Sequence, residues 1–306
     1  MENEKLIRHL EALPHDCRIS FVCGDNEMRG MVLSGSAMIN QMRLNHGLGI
    51  LETLALGHVY IAAGLMTMSL KNADRLTLEI GCNGPIGGIS AEANADGEIR
   101  GYLKNVPIPV DGPVESFSLS PFFGAGLLTV NRHLEGATRP FSGTVHLAHG
   151  TVAKDIAYYY LHSEQTKTAV DVSIQFDRSG EAIGAGGLFL QVMPGCSEEM
   201  VSAAEDALAA AGSIGKAISQ GIPPEEWISK TLRTLSPVIM EEKPLSFYCP
   251  CSKERFARFL GSLGAEEKAD IRKNGPFPLV STCHNCSTSY GFTREEIEVI
   301  MPVPEL

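Results

Sequence analysis

"FYCPCSKERF", residues Phe247 to Phe256, places two cysteines one residue apart. A disulfide across one residue closes a very small ring and constrains the unfolded chain little, because that constraint grows with loop length. Zinc knuckles and thiol oxidoreductases both favour two residues between the sulfurs. A second stretch, "TCHNCS", Thr282 to Ser287, has that spacing. Together they read C-x-C, 31 residues, C-x-x-C. Four thiolates on two knuckles suit the tetrahedral preference of Zn²⁺. Cys249, Cys251, Cys283 and Cys286 are therefore expected to hold one Zn²⁺ per chain, against the plainer reading of four buried thiols. His284 lies between the last two but is surplus to a full shell.

The surroundings support a small domain built on that site. Ser252 can cap a helix in which Phe256, Phe259, Leu260 and Leu263 face inward, ended by Gly264. "PLVSTCHNCSTSYGF" reads as a strand, a tight knuckle and a returning strand, and Thr293 with Glu296 forms a capping box for a last helix. About sixty residues give a weak core that needs a metal or crosslink. Four thiolates on one divalent ion carry a net charge of −2, and sulfurs kept deprotonated are open to oxidants. Each has another thiolate close by in sequence, so oxidation can end in two local disulfides. Losing the ion removes about 10–16 kcal/mol of folding free energy on the zinc-finger scale.

Upstream, alternation marks strands at Leu76, Leu78 and Ile80, at Ile89, Ala91, Ala93 and Ala95, and at Val170, Val172, Ile174 and Phe176. Asp96-Gly97 signals a hairpin, hence antiparallel pairing. Helices are expected at about 36–70, with Gly47, Gly49 and Gly57 as possible interruptions, and at about 152–164. "TLALGHVYIAAGLMTMSL", Thr53 to Leu70, is long enough for a membrane span but lacks a basic or aromatic belt, so it reads as a core helix and no membrane partner is expected. The glycine runs "GCNGPIGG" and "FFGAG" lack phosphate-loop spacing. His146 and His149 lie in strand-like sequence. The start, "MENEKLIRHLEALPHD", is charged with no apolar segment, which predicts a chain without a signal peptide in a reducing compartment. There Cys17, Cys23, Cys82 and Cys196 read as inert buried thiols. Net charge of −11 argues against nucleic acid.

Met193-Pro194-Gly195 looks like a boundary. Beyond it Ser197 can cap a helix whose inner side is Met200, Ala204, Ala207 and Ala211, a face weakened by Gly212 and Gly215. After Pro223-Pro224, Trp227, Ile228, Leu232 and Leu235 form a second short amphipathic stretch. Both need a partner surface. They are either a packed connector or a metastable segment able to come loose. The expected organisation is α+β: a core domain of antiparallel sheets and helices over 1–193, a helical linker over 194–243, and a zinc-binding domain over 244–306.

"CPCSKERFARFLGSLG" and "CHNCSTSYGFTREEI", with "GGLFLQVMPG", "YYYLHSEQTKTAV", "GEIRGYL" and "MRGMVLSGSAMINQM" upstream, resemble the 33-kilodalton heat-shock protein family of bacterial redox-regulated holdase chaperones. The resemblance covers most of the chain. It implies a cytoplasmic, ATP-independent, non-enzymatic chaperone that is inactive when reduced and zinc-bound. It implies disulfides Cys249 with Cys251 and Cys283 with Cys286 on oxidation. Zinc loss would then unfold the linker, expose apolar surface, favour a homodimer and let the protein hold unfolded clients. Trp227, Ile228, Leu232 and Leu235 are themselves expected to supply most of the docking of the linker over the client-binding surface. Pro250 holds Cys249 extended, so the first bridge is expected to be strained. Two other classes would fit four cysteines: a zinc-ribbon nucleic-acid module, and a thiol-disulfide oxidoreductase using Cys283 and Cys286. Residues 245–306 hold seven Lys or Arg against eight Asp or Glu, so they form no basic stripe.

Overall fold

The computed structural model describes residues 8, 15–110, 112 and 116–302. The chain divides into two compact units, Met1–Tyr248 and Cys249–Leu306. The stretch 194–243 lies within the first.

Within residues 15–302 the first unit opens with the hairpin β1 (Cys17–Cys23) and β2 (Met28–Ser34), followed by α1 (Ser36–His46) and α2 (Ile50–Met66). Gly47 breaks the helical run by closing α1 with a φ of +61°, and Gly49 precedes α2. Gly57 does not interrupt α2. A Cβ there would meet Ile174 Cδ1 at 2.6 Å, so its role is close approach of helix to sheet. The helix is long and apolar enough to cross a membrane, yet it is mostly buried among the core strands. Next come β3 (Arg75–Cys82), β4 (Gly88–Asn94), β5 (Glu98–Leu103), the short α3 (Ser120–Phe123), β6 (Gly126–His133) and β7 (Phe141–His146). Then come α4 (Val152–His162), β8 (Thr168–Phe176) and β9 (Ala182–Val192).

The segment after β9 is not wholly helical. It forms α5 (Glu198–Ala210), α6 (Ile214–Ser219) and α7 (Pro224–Thr231), then a strand β10 (Val238–Pro244), with β11 (Ser246–Phe247) just beyond. Ser197 caps α5 by accepting from Met200 N, and Ser213 restarts the helix as α6 by accepting from Lys216 N. The five-stranded sheet runs β10-β1-β2-β9-β8, all antiparallel. The six-stranded sheet runs β11-β5-β4-β3-β6-β7, antiparallel except where β11 lies parallel to β5.

The five-stranded sheet is apolar on both faces. Met31, Leu33, Phe189, Val172 and Ile174 join the main core with α1, α2 and the second sheet. Ile19, Phe21, Cys23, Met28, Val32, Leu188 and Leu190 join a second cluster, completed by Ala204, Ile214, Ala217, Trp227, Ile228, Leu232 and Leu235. That second face is roofed by α5, α6 and α7. Its alanines let the helices lie close, and α6 lies closest. Gly215 N donates to Ser173 Oγ at 2.8 Å, and a Cβ on Gly215 would sit 2.7 Å from the Ser173 carbonyl oxygen. Gly215 thus lowers helix propensity but permits the contact.

The second unit contains α8 (Lys253–Gly261), α9 (Ala265–Asn274), the hairpin β12 (Leu279–Thr282) and β13 (Ser289–Phe292), and α10 (Arg294–Ile300). Ser252 caps α8, and Thr293 with Glu296 forms the capping box of α10. Two expectations fail. The helix starting at Ser252 ends at Gly261, and Gly264 instead begins α9, where its amide donates to Glu267 Oε2. Phe259 does not face inward: it is 63% exposed, while Leu260 is buried and Phe256 and Leu263 are half-buried. Among the described residues, and apart from Cys283 and Cys286, the buried apolar side chains of this unit are Leu260, Phe292, Ile297 and Met301.

Trp227 is the only tryptophan, and it is buried in the roofed cluster. Gly215→Leu should push α6 off the sheet at a cost of about 1–3 kcal/mol. Its Trp227 fluorescence should melt at a lower temperature than wild type while the sheet signal in circular dichroism holds. Unchanged tryptophan melting would show that the close approach of α6 is not needed.

Candidate functional site

The two cysteine pairs converge. Cys249 and Cys251 sit between β11 and the N-terminus of α8, and Cys283 and Cys286 sit in the knuckle between β12 and β13. The four sulfurs all lie within 4.8 Å of one another. Cys249 Sγ is 3.8 Å from Cys283 Sγ, and Cys251 Sγ is 3.3 Å from Cys286 Sγ. A tetrahedral Zn–S₄ centre with bonds of about 2.3 Å has S···S edges of about 3.8 Å. The donor set therefore fits a soft divalent ion in number, kind and spacing. The distances are far beyond the roughly 2.05 Å of a disulfide.

Local structure explains the convergence. Ser252 caps α8 by accepting from Arg255 N, and Arg255 Nη1 donates to the Pro250 carbonyl at 3.0 Å, which fixes the C-P-C turn against the helix start. In the other knuckle Cys283 N donates to the Thr288 carbonyl at 2.9 Å and Ser287 N returns to the Cys283 carbonyl at 2.8 Å. Ser287 takes a φ of +56° to close that turn. Cys283 and Cys286 are buried; Cys249 and Cys251 are half-buried.

Tyr290 has a role that sequence reasoning did not assign. Its hydroxyl donates to the Cys251 carbonyl at 3.1 Å and lies 3.2 Å from Cys251 Sγ, and its ring packs against Phe256. Lys253 pairs with Glu296 at 2.5 Å and joins α8 to α10 across the site.

Without a metal the thiols are unequal. Burial pushes Cys283 up to about 12, with the neighbouring Cys286 and Cys249 adding to the rise. Burial also acts to raise Cys286, but hydrogen bonds from Thr288 and the neighbouring thiols outweigh it and bring Cys286 down to about 7. Burial raises Cys251, a rise that Tyr290 moderates. Of these thiols, Cys286 is the one whose surroundings most favour the thiolate.

The other cysteines lie apart from this cluster. Cys23 is buried in the roofed face of the five-stranded sheet, with Cys17 and Cys196 packed at its margin, and Cys82 packs on the main core. Burial pushes Cys17 and Cys23 up to about 11 and raises Cys82 and Cys196 as well. The structure places Trp227, Ile228, Leu232 and Leu235 together in the roof, with Ile228, Leu232 and Leu235 fully buried.

Comparison with known proteins agrees with this layout. The family model described as Hsp33 protein matches residues 16–293. The 33 kDa chaperonin of Ruminiclostridium cellulolyticum is 33% identical over 291 residues, covering 94% of this chain and 98% of that protein. The 33 kDa chaperonin of Bacillus subtilis is 34% identical over 286 residues, covering 92% and 97%. The crystal structure of the 33 kDa chaperonin (Heat shock protein 33 homolog) from Thermotoga maritima superposes with a TM-score of 0.85 at 29% identity, over 94% of this chain and 98% of that one. With a four-cysteine cluster at the C-terminus of a mixed α+β chain, and relatives matched along nearly their whole length, this chain belongs to the Hsp33 family of chaperones.

Proposed function

We propose that this chaperone is a redox-regulated, ATP-independent holdase of the cytoplasm, switched off when Cys249, Cys251, Cys283 and Cys286 hold Zn²⁺. The observation that carries the reading is the convergence of the four sulfurs in a unit whose apolar core, among the described residues, is as small as Leu260, Phe292, Ile297 and Met301. Bound Zn²⁺ supplies the cross-link such a core lacks and keeps the sulfurs as thiolates. The protein's own part is to hold two knuckles at tetrahedral spacing and to anchor Cys251 through Tyr290.

Oxidation removes the donors. In each pair two thiolates give up two electrons to an oxidant of the peroxide class. One S–S bond forms, the O–O bond breaks, and two protons from solvent complete the reduced products. The pairs are Cys249 with Cys251 and Cys283 with Cys286. In the metal-ready arrangement all four sulfurs already lie within 4.8 Å of one another, so each thiolate has its pair partner close at hand. With its donors consumed, the unit loses stabilisation worth about 10–16 kcal/mol on the zinc-finger scale. The roof of α5 to α7 is then released from the sheet, uncovering Ile19, Phe21, Val32, Leu188 and Leu190 for unfolded clients, and favouring a homodimer through the same apolar surface. Segment 194–243 acts as the metastable linker between a core domain and a zinc domain. A thiol oxidoreductase fits less well: Cys283 and Cys286 lie in a hairpin knuckle, away from a helix start, and both are buried.

Zinc and free-thiol counting before and after mild oxidation, with aggregation of an unfolding client followed in parallel, tests the switch. The reduced protein should carry about one zinc, and oxidation should release it as four thiols disappear. Replacing all four cysteines by serine should abolish binding. Tyr290→Phe should retain the site with zinc affinity lowered about 10-fold. About one zinc retained in the four-serine variant would refute the assignment.

Docking can be separated from redox chemistry. Leu232 is fully buried in the roof. Leu232→Glu places a charge in an apolar cluster, which costs several kcal/mol and should undock the linker with every cysteine intact. The variant should suppress client aggregation while reduced and zinc-bound. A variant that binds zinc normally and stays inactive until oxidised would show that linker undocking alone does not activate.

A further inference from the structure

The strand β10 is held to the protein in an unusual way. It pairs antiparallel with β1 from Cys17↔Pro244 to Val22↔Val238, yet all seven of its residues are exposed. Its Val238 and Met240 are 58% and 63% exposed. Little side-chain burial fixes it, so its attachment rests mainly on the backbone ladder, and a bulge interrupts that ladder between Ser20 and Phe21. A backbone ladder is indifferent to sequence. Any extended segment able to offer the same amides and carbonyls can occupy the same edge.

The two edges differ in what protects them. The outer strand carries Glu241, Glu242, Lys243 and Pro244, charges and a proline of the kind that stop further strands from adding. The strand beneath, "CRISFVC", has no proline, no acidic residue and one basic residue, Arg18. Arg18 is itself turned in: its guanidinium donates to Thr67 Oγ1 at 2.5 Å and to the Ala95 carbonyl. With β10 gone, β1 is an open edge of β-branched and aromatic residues without a charged guard. Its Ile19, Phe21 and Cys23 side chains also form part of the face that α5 to α7 cover. One release therefore frees a backbone edge and an apolar row on the same strand. The connection is short: Leu235, in the roof, accepts from Gly24 N at the end of β1, and β10 starts three residues later.

We propose that β1 is a client-pairing edge, that β10 is the intramolecular stand-in strand covering it in the inactive protein, and that the partner taken up is an extended segment of an unfolding polypeptide. This rests on the holdase reading and adds to it a definite mode of capture. Clients pair through their backbone along β1 while their apolar side chains lie on the uncovered sheet face. Such a mode suits a chaperone that must accept many sequences, since affinity comes from the ladder and only alternate side chains meet the protein.

The test uses the oxidised full chain, a chemically unfolded client and three synthetic peptides. One has the β10 sequence, Val238 to Pro244. The other two have the same side chains with alternate amides N-methylated, one in each of the two possible registers. The plain peptide should displace client and restore client aggregation, and both it and the client should slow hydrogen exchange in β1 at least 10-fold. The methylated peptide whose blocked amides face β1 should be at least 10-fold weaker. If plain and methylated peptides compete alike, capture is by apolar contact alone and the strand-pairing inference is wrong. If client is held with β1 amides unprotected, the edge is not the site, although the holdase reading stands. If the oxidised chain holds no client at all, both fall.

Discussion

The five-stranded sheet has two apolar faces, and the helices of the core cover only one. Everything else about the molecule follows from the second face. Ile19, Phe21, Met28, Val32, Leu188 and Leu190 must be kept from water in the resting protein, and α5 to α7 are the elements that do it. A cover of alanine-rich and short helices buries less area per residue than one built of leucines. It also includes helices that are marginal alone. The arrangement closes the sheet, and on the proposed reading its small buried area is what lets a modest loss of support release it.

In the proposed switch the four-cysteine cluster supplies the complementary property. A unit whose described apolar core is Leu260, Phe292, Ile297 and Met301 would fold on its ligands, so chemistry at the sulfurs would become a folding transition. Regulation of that kind would draw its energy from an oxidant and read out as exposed surface. Tyr290 holds the Cys251 carbonyl and the Lys253–Glu296 pair ties α8 to α10, so in the proposed switch both would bear on how tightly the cluster binds and how readily it gives way.

The cysteine spacing was legible because a metal shell demands a fixed donor number, and caps at Ser197, Ser252 and Thr293 were legible because capping is local chemistry. The strand-bearing hairpins showed through alternation at Leu76 to Ile80 and Ile89 to Ala95. What escaped the sequence was non-local. "MRGMVLS" and "GLFLQV" are buried on both faces, so they show no alternation to reveal a second apolar face. β10 reads as linker because its strand character comes from pairing with β1, some 220 residues earlier, and not from its own burial. Phe259 looked like a core residue because it lies next to Leu260 in an apolar run, but a helix of nine residues with so small a core leaves it outside. Gly215 counted as a weakness by propensity and is a requirement of packing.

The central claim is that the state of four sulfurs controls whether the second face of the sheet is covered. Hydrogen exchange read by mass spectrometry, on the reduced zinc-loaded protein and on the oxidised protein under conditions where it holds client, tests this directly. The account predicts that residues 197–236 and β10 lose protection on oxidation, while β2, β9 and the strands of the second sheet keep theirs. Equal protection of residues 197–236 in the two states, with the oxidised protein active, would contradict it.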